Sequence, residues 1–250
     1  MARYLYLQFP MDKLQQVLKR NIGSVSIIDF KGDFVGHWVL RSQEKIISLM
    51  KSENKEKLVI NLRPLEMIDS LGVKAILENL PKKDTAVLSG NVSVMELFDS
   101  YEKSKSLRIF SNEEELVRHF GKDMVKPASE KKNDQRKYGR IQTALPLVFQ
   151  CQNQDGEKFR FHAIVVDMSE NGLFAEYIDL DEACESHSFT NPYELKMLDL
   201  EIKLPNRQTV QAHGKVVRRS LDGEQVGIGV EFYGINPEDR EKIRAYLEKG

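Results

Sequence analysis

The sequence is poor in the residues and runs that mark secreted, metal-binding or membrane-spanning proteins. Its only two cysteines, Cys151 and Cys184, lack CxxC spacing. They are too few for a disulfide framework, and both read as reduced structural residues. The five histidines fit no zinc-ligand spacing, so no metal is expected. Nowhere does an uninterrupted apolar stretch reach about 18 residues, and the opening MARYLYLQFPMDKLQQVLKR holds no apolar core of signal-peptide length. The expectation is a cytoplasmic protein without membrane insertion. Charge of one sign is missing too, because 37 Lys and Arg stand against 38 Asp and Glu, with no polybasic tail. Bulk attraction to nucleic acid or anionic lipid is therefore not expected, whereas a small, specific anionic ligand is compatible. The chain also lacks a Walker loop GxxxxGK[ST], a zinc motif and a nucleophile–base pair at recognisable spacing, so it is not expected to be an enzyme.

What is present suits two domains of modest size: 250 residues, 41% hydrophobic and 30% charged. From about residue 24 the chain alternates strand-like and helix-like segments. SVSIIDF reads as a strand ending at the turn signal Gly32-Asp33, and WVLRSQEKIISLMKSE as a helix. LVINL, TAVLSG and SLRIF read as further strands, with helices at SLGVKAILENL, SVMELFDSY and NEEELVRHF. This alternation implies βα units around a central sheet. Met50, Met67 and Leu77 are expected in its core. Residues 1–22 suggest an extra strand, YLYLQF, and a helix, MDKLQQVLKR.

The stretch GKDMVKPASEKKNDQ loses apolar periodicity and reads as a solvated linker, in which Lys131-Lys132 is solvated charge. The domains are accordingly set at 1–122 and 136–250, with the linker at 123–135. Beyond it, TALPLVF, RFHAIVVDM, GLFAEYI, ELKMLDLEIKL, TVQAHGKVVRR and QVGIGVEF read as six strands, a small β-barrel. The closing NPEDREKIRAYLEK reads as a helix with Asn236 as N-cap and Pro237 at its first position.

The most informative constellation is RKYGR, with Arg136 and Arg140 four apart, followed by DMSENG, in which Asp167, Ser169 and Gly172 fit [DN]xSxxG. Arginine presents a planar, permanently charged fork that pairs with phosphate or with the O6/N7 edge of guanine. Aspartate accepts hydrogen bonds and suits the N1–H and N2–H₂ donors of guanine, while serine donates or accepts. Gly172 permits either a left-handed turn or close approach of a ligand to the backbone. Together they describe a site for a guanine nucleotide carrying negative phosphates.

In these residues the chain resembles the PilZ family, whose members bind cyclic di-GMP through RxxxR and [DN]xSxxG on a six-stranded barrel with a C-terminal helix. The resemblance runs from about Arg136 to Gly250, and GKVVRR with VGIGVEF looks like the later strands of that barrel. It implies that Arg136, Arg140, Asp167, Ser169 and Gly172 bind cyclic di-GMP, with no metal.

A second resemblance rests on LVINLRPLEMIDSLGVKAIL and the turn Asp69-Ser70-Leu71-Gly72, over about Gly23 to Lys122. It is to the STAS fold of anti-sigma factor antagonists, an α/β domain with a central sheet and helices. In that family a serine directly after the aspartate is phosphorylated by a partner kinase that is also the anti-sigma factor. The resemblance makes Ser70 a candidate phosphoacceptor and implies a protein partner, an anti-sigma factor or kinase. Ser70 is also placed to cap a helix running from Gly72 to Leu80, and Asp69 reads as a capping carboxylate.

Two functions follow from the same residues. In one, cyclic di-GMP binding to the barrel alters what the STAS-like domain contacts. In the other, the chain is a partner-switching antagonist governed by phosphorylation of Ser70, with a barrel that no longer binds nucleotide.

Overall fold

The computed structural model describes residues 16–51, 57–81, 84–125, 139–152, 156, 158–180, 195–220 and 227–249. In the first half, β1 (Gln16–Ile22) and β2 (Val25–Phe34) form an antiparallel hairpin. After it come α1 (His37–Lys51), β3 (Lys57–Asn61), β4 (Leu65–Ile68) and α2 (Ser70–Asn79). β5 (Asp84–Leu88), α3 (Val92–Asp99), a 3-10 turn over Glu102–Ser106, β6 (Arg108–Phe110) and α4 (Glu113–Met124) complete it. The sheet order is β1-β2-β3-β5-β6, parallel from β2 onward, and β4 pairs with the end of β2.

Helices cover both faces of this sheet, so its inner strands read as continuous apolar runs. Ile28, Leu58, Ile60 and Val87 pack with Ile46 of α1, Val73 of α2 and Phe98 of α3. The residues between them, Ile27, Val59 and Ala86, point the other way, toward Leu116, Phe120 and Met124 of α4. The expected α/β architecture of a central sheet with helices is therefore what forms.

Three local expectations are corrected. The end of MDKLQQVLKR is not helical: Gln16 to Ile22 pair residue by residue with Lys31 to Val25. A short, marginal helix yields to a seven-residue ladder on the edge of a buried strand. The residues before it lie outside the described ones. Gly32-Asp33 does not end the strand. β2 continues to Phe34, with Gly32 at φ +79° in a bulge where its parallel neighbour changes from β3 to β4. Met67 is not in the core but 59% exposed, because β4 is a four-residue strand paired only to β2, whereas Met50 and Leu77 are buried as expected.

The second half comprises β7 (Ile141–Gln152), β8 (Lys158–Ser169), β9 (Gly172–Leu180), β10 (Met197–Lys203), β11 (Thr209–Ser220), β12 (Gly227–Ile235) and α5 (Pro237–Leu247). The six strands close into an antiparallel barrel in the order β10-β11-β12-β9-β8-β7. Alternate residues such as Leu147, Ala163, Val165 and Val230 fill it, and Phe149 stacks on Phe161 with ring centroids 4.9 Å apart. Cys151 is part of this core, and Cys184 lies outside the described residues.

α5 starts as its sequence predicts. The Asn236 side chain accepts the Asp239 N–H at 2.8 Å, and Pro237 occupies the first position. The helix then seats Ile243 in the barrel core. Asp239 is buried against β11, accepting the Gln211 N–H at 3.1 Å and the Lys242 ammonium at 2.8 Å. Burial pushes its carboxyl up, but the hydrogen bonds from Lys242, Gln211 and Asn236 outweigh it and hold the group below its ordinary value.

The two halves share a core. Ile164 and Val166, on the outer face of β8, pack into the cluster formed by Leu116, Phe120 and Met124 of α4. Beside it, Glu113 is ion-paired with Arg63, and His162 Nδ1 of β8 lies 3.0 Å from its other carboxylate oxygen. Lys203 of β10 adds a pair to Glu114 at 2.8 Å. α4 ends at Met124, and most of the linker segment, including Lys131 and Lys132, lies outside the described residues. No helix among the described residues is long and apolar enough to cross a membrane.

Candidate functional site

β7 and β8 run antiparallel with Gln142 opposite Asp167, so the residue just before β7 and the last residues of β8 meet at one end of the barrel wall. There Arg140 Nη1 donates to Asp167 Oδ1 at 2.9 Å, and Gln142 Nε2 donates to Oδ2 at 3.2 Å. Both partners keep solvent access, Arg140 at 34% and Asp167 at 17% of the side chain. Asp167 is aimed outward by a register shift between Val165 and Asp167 against β9, which places Val166 and Asp167 on the same outer face. Two of the five residues expected to bind nucleotide, Arg140 and Asp167, are thus in direct contact. Arg136 lies outside the described residues.

Ser169 and Gly172 close the β8–β9 hairpin as an opposed pair around Glu170 and Asn171. The Ser169 side chain is buried, and its hydroxyl donates to the Gly172 carbonyl at 3.2 Å. Gly172 is needed for packing within the barrel. Its φ is not left-handed, and the backbone that comes close is the protein's own: a Cβ would stand 2.3 Å from the Val230 carbonyl oxygen of β12. The adjoining Phe232 N–H donates to the Asn171 carbonyl at 2.8 Å.

Two supports of this site escaped the sequence reading. Gln142, two residues past Arg140, shares Asp167 with it. Glu170, inside DMSENG, accepts Arg244 of α5 through Nε at 2.9 Å and Nη2 at 2.7 Å. The Arg244 hydrogen bond holds the Glu170 carboxyl below its ordinary value, with Arg240 adding to the effect. The only sequence signal for this clamp is an acidic residue in the turn and two arginines at helical spacing in α5.

In the first half, Ser70 is exposed at the first position of α2, but it is not the cap. Asp69 caps the helix, accepting the Gly72 N–H at 2.8 Å through one oxygen and the Gly36 N–H at 2.8 Å through the other. A carboxylate that satisfies two backbone donors at once takes the position, and the helix starts at Ser70, as SLGVKAILENL reads, rather than at Gly72. The Ser70 carbonyl accepts the Tyr101 hydroxyl at 3.0 Å. Exposed Met67 and Leu71 lie on either side of it in the chain.

Comparison with known proteins adds the following. The PilZ domain family model matches residues 134–249. No curated protein matches the sequence. Among solved structures, an inhibitor of motility from Bacillus subtilis (MotI/DgrA) is similar at 19% identity and a TM-score of 0.35. That match covers 50% of this chain and 56% of that one, so the chain spans little more than half of that protein's length. The PilZ domain of YcgR from Escherichia coli, determined with c-di-GMP, is similar at 18% identity and a TM-score of 0.32, covering 46% of this chain and 91% of that one. The anti-sigma factor antagonist SpoIIAA in its unphosphorylated form is similar at 18% identity and a TM-score of 0.34, covering 42% of this chain and 96% of that one. The family model carries the assignment: residues 134–249, with their closed six-stranded barrel and C-terminal helix, are a PilZ domain.

Proposed function

We propose that this protein is a non-catalytic bacterial receptor, acting in the cytoplasm, that binds cyclic di-GMP on its PilZ domain and transmits binding to protein partners of its N-terminal α/β domain. The observation that carries this reading is the meeting of Arg140 and Asp167 on the outer wall of the barrel. Arg140 has a fork for phosphate or for guanine O6/N7, and Asp167 has two acceptor oxygens for guanine N1–H and N2–H₂. A guanine nucleotide replaces their mutual contact with one bond set for each. Arg136, four residues before Arg140, supplies the second guanidinium. Ser169 and Gly172 act by holding the hairpin that presents Asp167.

Transmission follows from the neighbours of Asp167. The residue before it, Val166, is buried in the core shared with α4, so a ligand that shifts the end of β8 also loads that interface. For the ligand to change a partner contact it must favour one arrangement of β8 and α4 over another. Hydrogen exchange on the full-length protein with saturating cyclic di-GMP tests both steps. Slower exchange around Arg140 and Asp167, together with altered exchange in α4, is expected. Unchanged exchange throughout the chain contradicts the reading.

A second reading is favoured by the exposure of Ser70 beside exposed Met67 and Leu71, a hydroxyl flanked by apolar surface at a helix start. Here the chain is a partner-switching antagonist, and phosphorylation of Ser70 places close to two negative charges on a surface that docks an anti-sigma factor or kinase. In this case the barrel binds no nucleotide.

A further inference from the structure

The outer wall of the barrel carries one row of residues in register across five strands. Gln142 of β7 faces Asp167 of β8, Asp167 faces Phe174 of β9, Phe174 faces Gly229 of β12, and Gly229 faces Arg218 of β11. With strands about 4.8 Å apart, three spacings put Asp167 and Arg218 roughly 14 Å apart along the row. The middle of the row is flat because β12 contributes glycines there. A Cβ on Gly227 would lie 2.7 Å from Phe174 Cζ, and one on Gly229 would lie 3.1 Å from Arg218 Cβ. Without those carbons the Phe174 ring settles onto β12, and the Arg218 guanidinium sits over it, 5.8 Å from the ring centroid.

Arg218 differs from the arginines around the site. Arg140, Arg240 and Arg244 each have a carboxylate partner, whereas no carboxylate pairs with Arg218 among the described residues. It is exposed, and its contact is the aromatic face. A guanidinium backed by a ring on one side and open to solvent on the other is a stacking platform for a purine. We propose that Arg218, held by Phe174, is a further ligand-binding residue of this site and stacks on a base of the nucleotide at the end of the row opposite Asp167. This rests on the reading of the site as a cyclic di-GMP receptor. It adds that a second strand pair, β11 and β12, takes part in recognition, and it gives Gly227 and Gly229 of VGIGVEF a role as the floor under the ring.

Calorimetric titration of the full-length protein with cyclic di-GMP separates this from the underlying reading. Wild type, Arg218→Ala, Arg218→Lys and Arg140→Ala are compared, with thermal melts verifying that each is folded. Arg218→Ala is expected to weaken binding about tenfold or more. Arg218→Lys, which keeps the charge and loses the planar face, is expected to remain weak. Wild-type affinity in Arg218→Ala overturns the inference while leaving the receptor reading intact, provided that Arg140→Ala is impaired. Full restoration by Arg218→Lys overturns the stacking role. No binding by the folded wild type removes both.

Discussion

At Gly172 the backbone of β12 comes so close that even a methyl group meets the Val230 carbonyl oxygen at 2.3 Å. Gly172→Ala must therefore push β9 and β12 apart where the signature hairpin is anchored. Overpacking of this kind costs about 1–3 kcal/mol. Urea denaturation is expected to show that loss together with weakened nucleotide binding, and an alanine variant of wild-type stability contradicts the packing argument. Five residues were picked out in the sequence one by one as chemical types, yet the division of labour among the four that the structure describes was not legible there. Asp167 and Arg140 face outward and touch, whereas Ser169 and Gly172 spend their polar and steric properties inside the hairpin. Sequence gives the spacing of such residues but not which side of the pleat each occupies. A single register shift between Val165 and Asp167 decides that here. Phe174 and Arg218 were beyond reach for the same reason, because their proximity depends on the register of β9 against β12 and of β12 against β11, and β9 lies far from the other two in the chain.

The elements follow local pattern wherever tertiary context agrees with it. The inner strands β3 and β5 and the amphipathic helices α1 and α4 match their sequence signals, since burial on two faces or one writes itself as a run or a stripe. β1 and the bulge at Gly32 do not, because pairing on β2 decides both. α5 shows how an element reports pH. Its Asp239 carboxyl is held below the ordinary value of 3.8 by Lys242, Gln211 and Asn236. A carboxylate depressed in the folded state stabilises it fully above the unfolded value and loses that contribution as pH falls through the folded value. The expected result is a melting temperature of the barrel that falls below about pH 4. Asp239→Asn should cost about 1–3 kcal/mol near neutrality and show a shallower acid dependence. An identical acid profile in the variant contradicts the assignment.

On the scale of the whole molecule, two halves with different rhythms were evident in the sequence, whereas the core they share was not. Ile164 and Val166 read as ordinary strand residues, and only the folded barrel turns them outward onto α4. Glu113 sits at that junction, 2% exposed, ion-paired with Arg63 and beside His162 of the barrel. Removing the carboxylate by Glu113→Ala is expected to cost about 3–5 kcal/mol. It should also loosen the coupling of the halves, so that a single denaturation transition separates into two. One unshifted transition contradicts the shared core.

The claim on which the rest depends is that this barrel binds cyclic di-GMP through the Arg140–Asp167 contact. Isothermal titration of the full-length wild type and Arg140→Ala with cyclic di-GMP tests it most directly. Saturable binding by wild type, weakened at least about tenfold in the variant, is the predicted result. A folded wild type that releases no heat of binding and leaves labelled cyclic di-GMP free at equilibrium contradicts it.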